Sequence, residues 1–255
     1  MASTLTFETY LDGIQEATAR LREEAWQAGS LATVPTCPQW NVGHLVAHQG
    51  MVHRWAAGVL AGGPATDTEE VEREGLETTD PGVWLQDGCD QLVGRLRATP
   101  DDADVSFFMD TPLSGRDSWA RRQCHETTIH SIDALAARLG QPAEAEEVDL
   151  SPGFAVDGVD ELLCSFMPRR KFDLRSSGPV SVTVHTIDTG DSWLLSFGQD
   201  LPVVQRDRTT DHPDAAIEGS AVALYLALWN RGSQIRAEGR DVLSLWRDRM
   251  KVTWD

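Results

Sequence analysis

The chain has 255 residues, 41% hydrophobic and 24% charged, the balance of a folded protein long enough to bury a sizeable core. Its 40 acidic side chains outnumber 22 basic ones, and a net charge of −18 repels phosphate backbones, so nucleic acid is excluded as an expected partner. No apolar run reaches the roughly 18 residues of a membrane span, the N-terminus has no basic, apolar leader, and Cys37, Cys89, Cys124 and Cys164 form no CxxC pair; a reduced, cytoplasmic protein is expected.

The first half reads as helical. Leu11, Ile14, Ala17, Leu21 and Trp26 recur near helical spacing between Phe7 and Ala28, with Gly29 as the stop. The proline-bearing stretch from Val34 to Trp40 is a turn or extended entry, and Asn41 caps a second helix over Val42–Leu60. The acidic run at 67–74 reads as a solvated loop or linker, as does 144–147. Asp80-Pro81 opens a third helix with Trp84, Leu85, Leu92, Val93 and Leu96 on its apolar stripe. Asp117 caps a fourth, Ser118–Leu139, closed by Gly140. Four such helices predict an antiparallel bundle over residues 1–142.

Beyond a linker near 141 the pattern changes. A helix is expected over Val156–Phe166. Period-two alternation then predicts strands at 180–187 and 192–197 joined by the turn Asp188-Thr-Gly-Asp, with shorter strands near 202–206 and 215–218. Ala221–Trp229 reads as a helix. Residues 150–255 are expected to form a smaller α+β domain, making the whole chain α+β.

Five of the seven histidines lie in the second and fourth helices. His125-Glu126 with His130 imitates HExxH, but His125 and His130 are five apart and diverge by about 140°, which rules out the zincin pair. Glu126 and His130 are four apart and differ by only about 40°. They can point at one metal ion, and one ligand from another helix completes two His and one carboxylate. His44 and His48, four apart, share a face of the second helix. Such a set leaves coordination positions open, as a catalytic zinc or non-haem iron site does. The alternative is a group of ordinary surface or core histidines with satisfied hydrogen bonds.

The segment Pro35-Thr-Cys-Pro-Gln-Trp-Asn-Val-Gly-His-Leu-Val-Ala-His48 resembles the N-terminal motif of the mycothiol-dependent maleylpyruvate isomerase family, within the DinB-like superfamily. A second block, from Trp119 through Arg122, His125, Glu126 and His130 to Asp133, resembles that family's second motif. Ala227-Leu-Trp-Asn-Arg231 and Gly239-Arg-Asp241 resemble elements of its C-terminal domain. The resemblance implies a four-helix DinB-like bundle followed by an α/β domain shaped like a sterol-carrier fold. It selects His48 over His44 as the third ligand, beside Glu126 and His130. It also implies a divalent metal, usually zinc, and mycothiol as thiol cosubstrate.

The implied activity is isomerisation, or thiol S-transfer, on a small electrophile by thiolate addition. Asp133 is placed to orient His130, with a surface or capping carboxylate as the alternative. Arg231 is the candidate catalytic contact to a substrate anion, with an ordinary salt bridge as the alternative. Cys37 reads as a packing residue, and Trp40 and Trp55 as packing at the helix entry and in the bundle. Gln39 and Asn230 stand where the family commonly has Gly, and His44 where Arg or Asp is commoner; the substrate therefore stays open. A metal-dependent hydrolase and a non-catalytic small-ligand binder are the competing readings.

Overall fold

The computed structural model describes residues 5–169 and 174–250. The outer ends of the two expected domains, 1–4 and 251–255, lie outside the described residues. The described chain forms two compact units that meet in sequence at Ala143 and Glu144.

The first unit holds α1 (Phe7–Ala28), α2 (Val42–Leu60), α3 (Thr68–Glu77), α4 (Pro81–Ala98) and α5 (Gly115–Leu139). Thr6 caps α1 by accepting from Thr9 N, and Gly29 ends it at φ +85°. Leu11, Ile14, Ala17, Leu21 and Ala25 form the buried stripe. Full burial of a leucine such as Leu21 contributes about 2 kcal/mol. Trp26 does not share that stripe and is 80% exposed, because it stands about 140° around the helix from Leu21 whereas Ala25 stands about 40° away. α1 packs along α5, and α2 packs on α3, α4 and α5.

Two helices of this unit differ from expectation. The acidic run forms the cap and most of α3, with the Asp67 carboxylate accepting from Glu70 N at 3.1 Å. Its acidic first turn complements the helix dipole. α5 begins three residues early, at Gly115, because Ser114 is the cap and Asp117 lies within the first turn. Gly115 is required there: a Cβ would meet Val105 O at 2.4 Å.

From Ser118 to Ala134 α5 is buried on every side, although this stretch carries Arg121, Arg122, Gln123, His125, Glu126, His130 and Asp133. A polar helix at the centre of a bundle needs partners for each of these groups. Near its start, Trp119 meets Trp55 edge-on at 5.0 Å and donates to Ser106 O at 2.9 Å. No described helix is long and apolar enough to cross a membrane.

The second unit holds α6 (Pro152–Glu161), β1 (Val180–Thr186), β2 (Ser192–Phe197), β3 (Val203–Arg206), β4 (Ala215–Gly219), α7 (Ala221–Leu228), β5 (Arg236–Gly239) and α8 (Val242–Arg249). The sheet order is β3-β2-β1-β4-β5; β1 and β4 run parallel and the other neighbours antiparallel. The expected helix at 156–166 starts earlier, on the cap Ser151 and Pro152, and passes into a π-helical turn at Leu162–Phe166. β5 and α8 add to the predicted elements. β5 is exposed along its length and shows no apolar alternation.

Candidate metal centre

The loop from Val34 to Trp40, α2 and α5 build the centre. Asn41 caps α2 by accepting from His44 N at 3.0 Å. The same oxygen lies 2.8 Å from His44 Nδ1 and holds that exposed ring at the helix start. His48, one turn later, is buried. α5 presents Glu126 and His130 from successive turns.

One ligand atom from each of His48, Glu126 and His130 lies within 4.8 Å of the other two. Glu126 Oε1 is 3.9 Å from His48 Nε2 and 3.3 Å from His130 Nε2. Donors at about 2.0–2.2 Å from a common zinc ion in a tetrahedral arrangement stand about 3.4 Å apart. Two imidazole nitrogens and a carboxylate oxygen at these separations could hold a divalent ion, so the donor set fits the group. His44 and His125 are not part of it.

The rings are held from outside. His130 Nδ1 donates to Asp133 Oδ2 at 2.9 Å, and Asp133 Oδ1 accepts from Thr36 Oγ1 at 2.5 Å. Asp133 is fully buried. Cys37, partly buried, packs against the core cluster of Leu45, Val46 and Ala134, with its thiol 3.7 Å from Asp133 Oδ2. Trp40 covers the pair, its ring 4.7 Å from that of His48 and 5.8 Å from that of His130. Arg122 Nη2 donates to Glu126 Oε2 at 3.2 Å and leaves Oε1 toward the histidines.

Electrostatics follow from this packing. Burial pushes the His48 imidazolium below its usual range against the Glu126 carboxylate, which raises it. Burial would raise Glu126, but hydrogen bonds from His130 and His48 and the charge of Arg122 hold it well below the usual carboxylate range. Burial also lowers His130, yet Asp133 and Glu126 together raise it to about 9. An anionic carboxylate thus sits between two imidazole ring nitrogens, one held below and one above the usual histidine range.

Residues 11–135 match the family model described as Mycothiol maleylpyruvate isomerase N-terminal domain, and residues 153–244 match that of the MDMPI C-terminal domain. The chain belongs to the mycothiol maleylpyruvate isomerase family. Its fold is similar to a crystal structure of the mycothiol-dependent maleylpyruvate isomerase, at TM-score 0.61 and 12% identity over 92% of this chain and 93% of that one. A histidine-to-alanine variant of that enzyme aligns at TM-score 0.63, again with 12% identity and the same coverage. No curated protein sequence is significantly similar to the chain.

Within this family frame, Arg231 stands just beyond α7 in the second unit. Its Nη1 donates to Trp229 O at 2.8 Å and its backbone N–H to Leu226 O at 2.7 Å. The preceding Asn230 adopts φ +61°, a left-handed backbone that Asn tolerates better than most residues other than Gly. Two residues had no role in the sequence reading. Arg122 was visible in principle, four residues before Glu126 on the same helix. Glu72 on α3 was hidden in the acidic run, and its Oε1 lies 3.8 Å from His48 Nδ1. The Asp67 cap signal, three residues before Glu70, was the clue to its helix.

Proposed function

We propose that this chain is a zinc-dependent, mycothiol-using enzyme, an isomerase or thiol S-transferase acting on a small electrophile. The observation that carries the reading is the convergence of His48, Glu126 and His130 inside the region matched by the family's N-terminal domain. His48 Nε2, Glu126 Oε1 and His130 Nε2 are the proposed ligand atoms. Zinc bound there would favour a thiol's conversion to thiolate, the nucleophilic form, at neutral pH.

The chain's own groups prepare for this. Glu126, held anionic, offsets the charge of a divalent cation, and Arg122 fixes its orientation. Asp133 holds the His130 ring so that Nε2 faces the centre. Burial by Trp40 keeps the dielectric low, which strengthens each of these interactions. For an alkene conjugated to a carbonyl, thiolate addition makes the carbon–carbon bond single and rotatable. Elimination then returns the thiolate and the trans alkene. For a transferase, the protonated thiol adduct is the product. Arg231 is the proposed contact to a substrate carboxylate or enolate.

The test is direct. Untagged protein should carry about one zinc per chain. With zinc, mycothiol and maleylpyruvate or other electrophiles, chromatography and mass spectrometry should detect an isomer or a thiol adduct. Absence of bound metal and of activation by added zinc overturns the reading. Turnover without any thiol would assign the chain to metal-dependent hydrolysis instead. Arg231→Ala should raise KM for an anionic substrate while metal content is unchanged.

A further inference from the structure

α3 is fixed against α2 by an interlock of three residues. The indole of Trp84, from α4, occupies the space where side chains on Gly50 of α2 and Gly75 of α3 would lie. A Cβ on Gly50 would fall 2.0 Å from that ring, and one on Gly75 2.6 Å from it. The Arg54 guanidinium covers the same ring at 3.9 Å from its centroid and donates to Trp84 O at 2.7 Å and Gly50 O at 3.0 Å. The ring therefore cannot move aside freely, and the glycines set how closely the helices approach. Gly75 lies three residues after Glu72, about one turn along the same side of α3. The interlock thus sets the position of Glu72 relative to α2.

Both histidines of the centre then have the same arrangement. In each ring Nε2 faces Glu126 Oε1, at 3.9 Å from His48 and 3.3 Å from His130. In each ring Nδ1 faces a second carboxylate, Glu72 at 3.8 Å for His48 and Asp133 at 2.9 Å for His130. The Glu72 side chain is 35% exposed, and its Oε1 stands within ion-pair distance of His48 Nδ1.

We propose that Glu72 is a positioning residue for His48. Its negative charge favours the proton on Nδ1 and leaves the Nε2 lone pair toward the metal position. The acidic helix is therefore part of the centre rather than a solvated spacer. This inference rests on the metal-site reading of His48, Glu126 and His130. It adds a residue from a third helix, outside both sequence motifs.

The experiment titrates the metal-free, full-length chain with Zn²⁺ against a chromophoric chelator, for wild type, Glu72→Ala, Glu72→Gln, Glu72→Asp and His48→Ala. His48→Ala should lose tight binding. Glu72→Ala and Glu72→Gln should each weaken zinc affinity by about 10-fold or more, in line with other outer carboxylates on metal-bound histidines, and Glu72→Asp should recover part of the loss. Unfolding of the metal-free variants should be unchanged, because Glu72 is a partly exposed side chain whose role concerns the metal alone. If wild type and His48→Ala bind zinc equally, the metal-site reading fails. If His48→Ala loses zinc while Glu72→Ala and Glu72→Gln bind it as wild type does, only the Glu72 assignment fails. The assignment also fails if the Glu72 variants lose metal-free stability in step with affinity, which marks a purely structural role.

Discussion

The carboxylate of Asp133 lies 2.9 Å from His130 Nδ1, and this contact determines which nitrogen of the ring faces Glu126. Asp133 is itself held by the Thr36 hydroxyl, from the loop before α2. Residues 97 apart in sequence thereby fix one imidazole. In Asp133→Asn the shape is kept and the charge is lost. Zinc affinity should fall about 10- to 100-fold. Chelator competition measures it; an affinity equal to wild type would show that Asp133 does not act on the metal.

A pH prediction comes from His53, which is fully buried on α2 with Nε2 2.9 Å from Thr127 Oγ1. Burial, reinforced by Arg54 and opposed by Glu126, lowers its pKa from 6.5 to about 3, with His130 adding slightly to the depression. Between those values the unfolded chain binds a proton that the folded chain refuses. Stability from this group is complete above pH 6.5 and falls as the pH drops, by about 1.4 kcal/mol per unit, until the folded ring protonates near pH 3. His53→Gln cannot take up that proton. Urea unfolding of the metal-free variant at several pH values between 7 and 5 should show a shallower pH dependence than wild type, the difference approaching one proton near pH 5. Parallel curves for the two proteins would refute the assignment.

Gly50 should tolerate no side chain. In Gly50→Ala the new Cβ meets the Trp84 ring at 2.0 Å, and that ring is covered by Arg54. Overpacking of this kind costs about 1–3 kcal/mol. Denaturant unfolding should show the loss as a lower midpoint with an unchanged slope. A midpoint equal to wild type would mean that α4 can retreat from α2 without cost.

Asn230 combines a left-handed backbone with a hydrogen bond from Nδ2 to Met250 O at 2.9 Å. Asn230→Gly removes the bond but relaxes the backbone, and the two effects, each about 1 kcal/mol, nearly cancel. Asn230→Ala loses the bond and keeps an unfavourable φ, so it should be the less stable variant by about 1–2 kcal/mol. Thermal unfolding of both variants separates them, and equal stabilities would contradict this account of the turn.

Local chemistry made much of this protein legible in its sequence. α1 and α2 were readable to the residue, because apolar spacing, Asn41 as a cap and Gly29 as a stop are short-range signals. The pairing of Glu126 with His130 followed from helical pitch alone, and pitch likewise removed His125. The choice of His48 over His44 came from resemblance, and the structure shows its geometry: His44 is exposed and tied to Asn41, whereas His48 is buried beside Glu126.

Tertiary structure decided the rest. Periodicity cannot reveal that Trp84 would insert between Gly50 and Gly75, because that requires three helices to meet. It therefore could not show that a run of glutamates is a docked helix with one carboxylate beside His48. Nor could spacing place Thr36 and Cys37 on Asp133, since those contacts close a long loop. The sequence by itself determined which residues could be ligands, since helical pitch controls neighbours three or four apart. Only the packing of α2, α3 and α5 determined what surrounds those ligands, because burial and charge at a site are set by residues distant in the chain.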